Sequence, residues 1–370
     1  MRVLIAPDSF GGTLSAATAA EAVARGWARG APGDELVLRP LADGGTGFAA
    51  VLHTALGGTL HERDVTSPLG DRVSAHWLEH DRTAYVESAQ ACGLHLVDEH
   101  RRDAGAATSR GVGELLGAVR AAGVGTAVIG LGGSATSDGG AGMLAALGAV
   151  PVDDAGVALP DGGTALARCA QLHGTPELDG VTLLAAADVT NPLLGKHGAA
   201  AVFGPQKGAD DAEVALLETA LARWADVLEA ATGRAVREEP GAGAAGGLGA
   251  ALLALGAARS SGASLVRERT GLDSALDAAQ LVVTGEGSFD RQSLRGKLVT
   301  MVSSGAAERG VPCVVLAGQV SVGRREAAAV GVDAAYGAAE MAGSVGAALA
   351  DPVGSLEAVA QRVAHQWGGP

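Results

Sequence analysis

Short apolar runs recur along this chain, and each is closed by a cluster of acids and glycines before a helix-like stretch begins. The closing clusters read APDSF, LADGG, GLGGSATSDGG, ADVTNPLLG and VTGEGSFD. Strands that alternate with helical patterns build parallel sheets with helices on their faces. The pattern places strands at 2–6, 35–39, 126–130, 182–187, 281–284, 313–317 and 333–336. It places helices at 16–29, 46–56, 108–122, 136–147, 211–231, 247–258 and 295–309, with a last helix ending near Gln366. Ser15 precedes the first helix, where a hydroxyl can accept from a free N–H. Two stretches break this rhythm. Segment 59–96 carries period-two runs at 61–65, 73–78 and 83–88, which read as antiparallel hairpins. Segment 151–239 holds one strand, a glycine-rich loop and one long helix. The expected architecture is therefore α/β: a doubly wound, mostly parallel sheet domain interrupted twice, with the interruptions pairing into a discontinuous α+β domain. The first domain would comprise 1–58, 97–150 and 240–370, and the second 59–96 and 151–239. Ligands of such sheets bind beyond the strand ends, so the cleft between the two domains is the expected active site.

Aromatic residues make up only 3% of the chain and glycines number 57, so the core must be built from Ala, Val and Leu, with backbone left bare for close approach. The formal net charge of −14 argues against general binding to nucleic acid or anionic membranes, which needs clustered Lys and Arg. Cys92, Cys169 and Cys313 lie far apart in sequence and suggest neither a zinc knuckle nor a disulfide framework. Cys313 sits in an apolar run and should be buried. The start, MRVLIAPDSF, reads as a strand rather than a signal peptide, so a cytoplasmic location is expected. The uncharged run 241–258 is rich in Ala and Gly and reads as a buried helix rather than a membrane span.

The segment Gly130–Gly142 follows a strand and opens an expected helix. Glycines let the backbone approach a phosphate, and the helix N-terminus favours its charge. Ser134 and Thr136 add hydroxyl donors, whereas Asp138 would repel an anion and fits a cap or a magnesium-linked role better. The same segment satisfies a loose dinucleotide pattern through Gly130, Gly132 and Ala135, with Asp153 and Asp154 where a ribose-binding acid would stand. Pro151 is awkward in a central parallel strand, which weakens that reading. A second glycine pattern, Gly241–Gly246, follows Glu-Glu-Pro rather than a strand and fails the context that the fingerprint requires. No P-loop motif occurs, so an ATP enzyme of this sequence would use another cradle. Asp188 ends an apolar strand, where a carboxylate can orient and deprotonate a hydroxyl, or else form an Asx turn. Lys207, in a Gly-Pro-Gln-Lys-Gly loop, is read as reaching a phosphate or carboxylate, or as plainly solvated. Glu286 and Asp290 could hold a divalent metal, and Lys297 could contact a phosphate, although a capped helix start would explain Asp290 too. Asp8 and Asp43 each follow a strand, and a single such Asp is usually a turn former. The repetition is what points to a site.

Taken together, these runs resemble the bacterial glycerate kinases of the type I family. The resemblance is carried by APDSF, LADGG, DVTSPLG, GELL, GLGGSATSDGGAGM, DVTNPLLGKHGAAAVFGPQKGA, GAGAAGGLG and TGEGSFDRQSLRGK, in the family's order, from Met1 to about Ala338. It implies a Rossmann-like domain with an inserted α/β domain, and Mg²⁺-ATP-dependent phosphorylation of D-glycerate at the 2-hydroxyl. Carried over residue by residue, Asp188 and Asp43 fall on family acids at the interdomain cleft and are read as catalytic, and Gly132, Gly133 and Ser134 fall on the glycine-rich loop. Lys207 and Lys297 are then phosphate or carboxylate contacts, Asp8, Ser9 and Asn191 substrate contacts, and Glu286 with Asp290 the residues near the metal. A homodimer is compatible with this reading. Two positions depart from the family: Gly11 stands where Lys is usual, and Thr46 where Glu is usual. They leave open a kinase for another small hydroxy acid or polyol, a non-catalytic nucleotide sensor and, further off, an NAD-type oxidoreductase.

Overall fold

The computed structural model describes residues 1–294 and 298–369. Its strands run β1 Arg2–Ile5, β2 Glu35–Leu38, β3 Thr59–Thr66, β4 Arg72–His80, β5 Thr83–Glu87, β6 Thr126–Gly130, β7 Val150–Val152, β8 Gln171–His173, β9 Thr182–Ala186, β10 Ala258–Ser260, β11 Leu281–Phe289, β12 Cys313–Val320 and β13 Ala334–Gly337. The helices of nine or more residues are α1 Ala16–Gly30, α2 Phe48–Leu56, α3 Arg110–Ala121, α4 Asp211–Thr232, α5 Leu298–Ala307 and α6 Pro352–Trp367. Ser15 caps α1 as its position suggests, accepting from the Thr18 N–H.

The chain divides into two compact units. The first comprises Met1–Asp43, Thr54–Leu56 and Ala263–Pro370. Its sheet has the order β13-β12-β11-β1-β2, with every pair parallel. Such a sheet is covered on both faces and needs near-continuous apolar strands, which Val3, Leu4, Ile5, Val282, Val283, Val314, Val315 and Leu316 provide. Cys313 is buried there, as the apolar run around it foretells. Helices α1 and α6 pack so closely that a Cβ on Gly26 would fall on the Glu357 carbonyl oxygen.

The second unit comprises Gly44–His53 and Gly57–Gly262. Its six strands run β10-β9-β6-β5-β4-β3. The first four pair in parallel, and β5, β4 and β3 pair antiparallel. The hairpins expected from the period-two runs are these last strands. A separate two-stranded ribbon joins β7 to β8. The core holds Trp77, Trp224, Leu115, Leu116 and Leu221.

This division differs from the expected one. Residues 97–150 and 240–262 pack with the second unit because β6 is hydrogen-bonded between β5 and β9, and β10 extends the same sheet along β9. The run 241–258 turns out as the buried helix Leu248–Ala254 preceded by a 3₁₀ turn, Ala244–Gly247. No helix among the described residues is long and apolar enough to cross a membrane.

Candidate active site

In the first unit the connections from β1 and β11 leave in opposite directions: β1 leads to β2 on one side, and β11 leads through α5 to β12 on the other. The topological switch point, where open α/β sheets bind ligands, thus lies beyond the carboxyl ends of β1 and β11. Pairing continues past β1, with the Ala6 and Asp8 N–H groups donating to the Val283 and Gly285 carbonyls at 2.8 Å each. Thr284 Oγ1 donates to the Ala6 carbonyl at 2.8 Å. Gly285 is required at this point because a Cβ there would strike the Leu316 carbonyl oxygen. These contacts set Asp8 beside Glu286.

Asp8 is half-buried, and its carboxyl is pushed up from 3.8 to about 7. Burial is the main cause, the negative charges of Asp43 and Glu286 add to it, and hydrogen bonding from Ser9 opposes it. Three acids of one sign are thereby held together at the switch point. A carboxyl raised in the folded state binds its proton more tightly there than in the unfolded chain, so stability falls as pH rises from about 4 through 7. Asp8→Asn is therefore expected to stabilise the fold by roughly 1–3 kcal/mol at about pH 8 and by much less at about pH 5. Thermal melts at the two pH values check this, and an equal effect at both would contradict it.

Asp290, expected to share a metal with Glu286, is turned to local work: its Oδ1 accepts the Gln292 N–H at 2.7 Å and the Ser293 N–H at 3.4 Å. Among the described residues no three acid, His or Cys side chains form a metal cage. Lys297 lies outside the described residues.

In the second unit, the loops following β6, β9 and β10 carry the remaining candidates. The Gly130–Gly142 loop differs from the expected phosphate cradle. Its helix begins only at Ala141 and ends at Ala146. The N–H groups that would face a ligand are already taken. Asp138, fully buried, accepts from Gly140 N at 3.1 Å, Gly142 N at 3.1 Å, Ser109 N at 2.8 Å and Ser109 Oγ at 2.8 Å. The Met143 N–H donates to Ser109 Oγ at 3.0 Å. Asp138 is thus a cap and a clamp between two segments, which explains an acid where a phosphate loop would exclude one. Gly130 and Gly132 let this loop lie against the backbone of Gly44 and Gly45, where side chains would collide. Gly133 is exposed and Gly132 half-buried, so the loop tip is the part a ligand can reach.

Lys207 also differs from the outward cation its loop suggests. It is buried at 2% exposure, and its Nζ donates to the Thr136 carbonyl at 2.6 Å and to Ser134 Oγ at 3.2 Å. Burial pulls its ammonium down from 10.5 to about 8, with the nearby Cys92 and Asp138 pulling the other way. The reason lies in the 3₁₀ turn Pro205–Lys207, which tucks the side chain inward, so Lys207 braces the glycine-rich loop from below. Ser134 is likewise buried.

Asp188 follows β9 on the surface, and its Oδ1 accepts from Ser261 Oγ at 2.6 Å. The two residues are brought together by the parallel pairing of β9 and β10. Asn191 Nδ2 donates to the His197 carbonyl at 2.8 Å, closing the loop that follows. Ser261 was not legible as a partner, because nothing local marks β10 as a strand. Glu87 is a second supporting residue that the sequence does not single out. It ends β5 fully buried, with Oε2 accepting from Gly47 N at 3.0 Å and Ala49 N at 3.4 Å, so it caps α2 and holds the Gly44–Gly47 turn. Burial pushes its carboxyl up to about 7. The available signal was an acid closing the run Tyr-Val-Glu-Ser, the same strand-end pattern as the others.

The dinucleotide alternative loses its basis. Asp153 sits in the β7–β8 ribbon, outside either large sheet, and its Oδ1 accepts from its own turn at Ala155 N (3.0 Å) and Val157 N (2.9 Å).

Acids and bare glycines collected at the carboxyl ends of parallel strands, in two α/β units without a P-loop, define the class as an α/β enzyme that works on small polar ligands at its strand ends. The chain belongs to the glycerate kinase family, whose model matches residues 3–368. It is 43% identical to a glycerate kinase of Bacillus subtilis over 91% of this chain and 90% of that protein. It is 41% identical to a glycerate 2-kinase of Escherichia coli over 87% of this chain and 86% of that one. A crystal structure from Salmonella typhimurium, provisionally named glycerate kinase 2, superposes with a TM-score of 0.79 at 38% identity, covering 99% of this chain and 98% of that chain. Membership makes the chain a phosphotransferase.

Proposed function

We propose that the chain transfers the γ-phosphoryl group of ATP to the 2-hydroxyl of D-glycerate, giving 2-phosphoglycerate. The observation that carries this reading, beside family membership, is the gathering of Asp8, Asp43 and Glu286 at the switch point of the first unit. Acids crowded until one of them holds its proton near neutrality are costly unless a cation is to be met there. This donor chemistry suits Mg²⁺, which is ordinarily held by one or two carboxylates plus substrate phosphates rather than by a protein cage. Asp8 and Glu286 are the residues that would hold it, a change from the expected pairing of Glu286 with Asp290. When bound, the ion draws charge from the phosphate oxygens. Asp188, steadied by Ser261, orients the substrate hydroxyl and takes its proton at a carboxylate oxygen. The tip at Gly132 and Gly133 offers bare backbone to a phosphate or carboxylate, while Ser134 and Lys207 keep the loop in shape.

Coupling the reaction to enolase tests the regiochemistry, because 2-phosphoglycerate is converted directly and 3-phosphoglycerate is not. ADP release with D-glycerate and an immediate enolase signal are expected. ADP release without that signal would overturn the 2-position, and no ADP release would overturn the substrate. The second reading, a kinase for another hydroxy acid or polyol, is favoured by Gly11: it lies at φ +53° with nothing within 4 Å of a Cβ placed there, so no side chain fills the position where a lysine is usual. A higher kcat/KM on another member of a hydroxy-acid panel would support it.

A further inference from the structure

A cavity of about 520 Å³ opens at the switch point of the first unit, on the side where β11 and β12 end. Part of its lining is apolar, formed by Leu14, Ala338, Ala348, Leu349 and Leu356, with Val345 beside them. Polar side chains line the rest: Glu286 and Ser288 from β11, Asp290 just after it, Gln319 from β12, and Ser9 and Thr13 from the segment between β1 and α1. No Lys, Arg or His lines it among the described residues. Leu349 is 55% exposed and Val345 42% exposed, so two apolar side chains bordering the cavity face water.

We propose that this cavity receives the adenosine end of ATP, with the purine on the Leu14–Ala348–Leu349–Leu356 surface and the ribose hydroxyls at Ser288 and Gln319. The inference rests on the kinase reading and adds the location of the nucleoside. Size decides first: the volume falls in the range of sites for cofactors and drug-sized ligands, and a three-carbon acid would leave most of it filled with water. Charge decides next. Glycerate is an anion, and a wall bearing Glu286 and Asp290 and no cation among the described residues repels it, whereas a neutral purine and neutral ribose hydroxyls are not repelled. A flat base would also bury part of the exposed Leu349 and Val345 surface, which gives it a hydrophobic gain that a hydroxy acid cannot make. Finally, Glu286, which lines the cavity, belongs to the cluster around Asp8, next to which the phosphates would need their cation.

The test uses unphosphorylated adenosine as the probe, measured by equilibrium dialysis on the full chain without glycerate, alongside steady-state kinetics. Ala348→Trp fills the cavity. Leu349→Asp alters its exposed edge at a position where folding is not at stake, and so keeps the test informative if the tryptophan variant does not fold. Each folded variant should weaken adenosine binding and raise KM for ATP by roughly tenfold or more, with KM for D-glycerate within about twofold of wild type. Wild type that binds no adenosine, or Leu349→Asp with unaltered adenosine binding and KM for ATP, would overturn the assignment even if glycerate is phosphorylated. Adenosine binding that the variants abolish, in a protein that phosphorylates no hydroxy acid, would uphold the cavity while sinking the kinase reading.

Discussion

Asp188→Asn is expected to lower kcat for D-glycerate by roughly 10²–10⁴-fold, the usual contribution of a positioned general base, while leaving the melting temperature almost unchanged. The geometry allows this separation of effects. Asp188 is exposed at the end of β9, so it contributes no buried packing. Its Oδ1 accepts from Ser261 Oγ at 2.6 Å, and an asparagine Oδ1 can accept the same hydrogen bond. What the substitution removes is the charge and the capacity to take a proton. Ser261→Ala should act more mildly, by up to about tenfold, because it removes a hydrogen bond that helps to orient the carboxylate without removing the carboxylate itself. The discriminating readout is the split between kcat and KM: Asp188→Asn should lower kcat with little change in KM for D-glycerate, whereas Ser261→Ala should leave most of kcat in place. An Asp188→Asn enzyme turning over within a few-fold of wild type would remove Asp188 from the chemistry and direct attention to the acids of the first unit.

The elements that were legible in the sequence are those whose signal is local. Helix α4 was expected at 211–231 and runs Asp211–Thr232, because its ends carry an Asp cap and a glycine. The hairpins β3–β4–β5 were legible from two-residue alternation. Sheet membership was not, because parallel pairing joins residues far apart and leaves no mark on either segment alone. Strand β6 reads as apolar and β-branched whichever sheet it enters, and only its register with β5 and β9 assigns it. Strand β10, Ala-Arg-Ser, has no strand pattern and forms because β9 offers it an edge. The same limit applies to the site. Sequence reading could gather Asp8, Asp43, Asp188 and Glu286 as strand-end acids, and the structure brings Asp8 to Asp43 and Glu286 within the first unit. It could not say that Lys207 points inward or that Asp138 consumes the N–H groups of its own loop, since both depend on which way a side chain leaves a turn.

The glycine-rich stretch that failed as a dinucleotide fingerprint supplies the strongest stability prediction. Gly246 lies at φ +66°, and a Cβ there would fall on the Thr136 carbonyl oxygen and within 2.8 Å of the Ser137 Cα. Both obstacles are backbone, so no side-chain rotation can relieve them. Left-handed backbone costs an alanine about 1 kcal/mol, and forced overpacking adds roughly 1–3 kcal/mol, so Gly246→Ala should destabilise the protein by roughly 2–4 kcal/mol. The displaced group matters for activity too, because the Thr136 carbonyl is the one that Lys207 Nζ holds at 2.6 Å, and the Gly246 carbonyl accepts from Gly139 N at 3.0 Å. A shift there moves the underside of the loop whose tip is Gly132–Gly133, and turnover should fall by at least about tenfold in the protein that remains folded. The neighbouring Ala245 sharpens the argument. It already sits at φ +50°, where its methyl is the strained feature, so Ala245→Gly should stabilise by about 0.5–1 kcal/mol. Urea unfolding of the two variants, one residue apart, should therefore move the midpoint in opposite directions. Loss of stability in both would mean that the turn is simply intolerant of change, and the close backbone approach at Gly246 would no longer explain why glycine stands there.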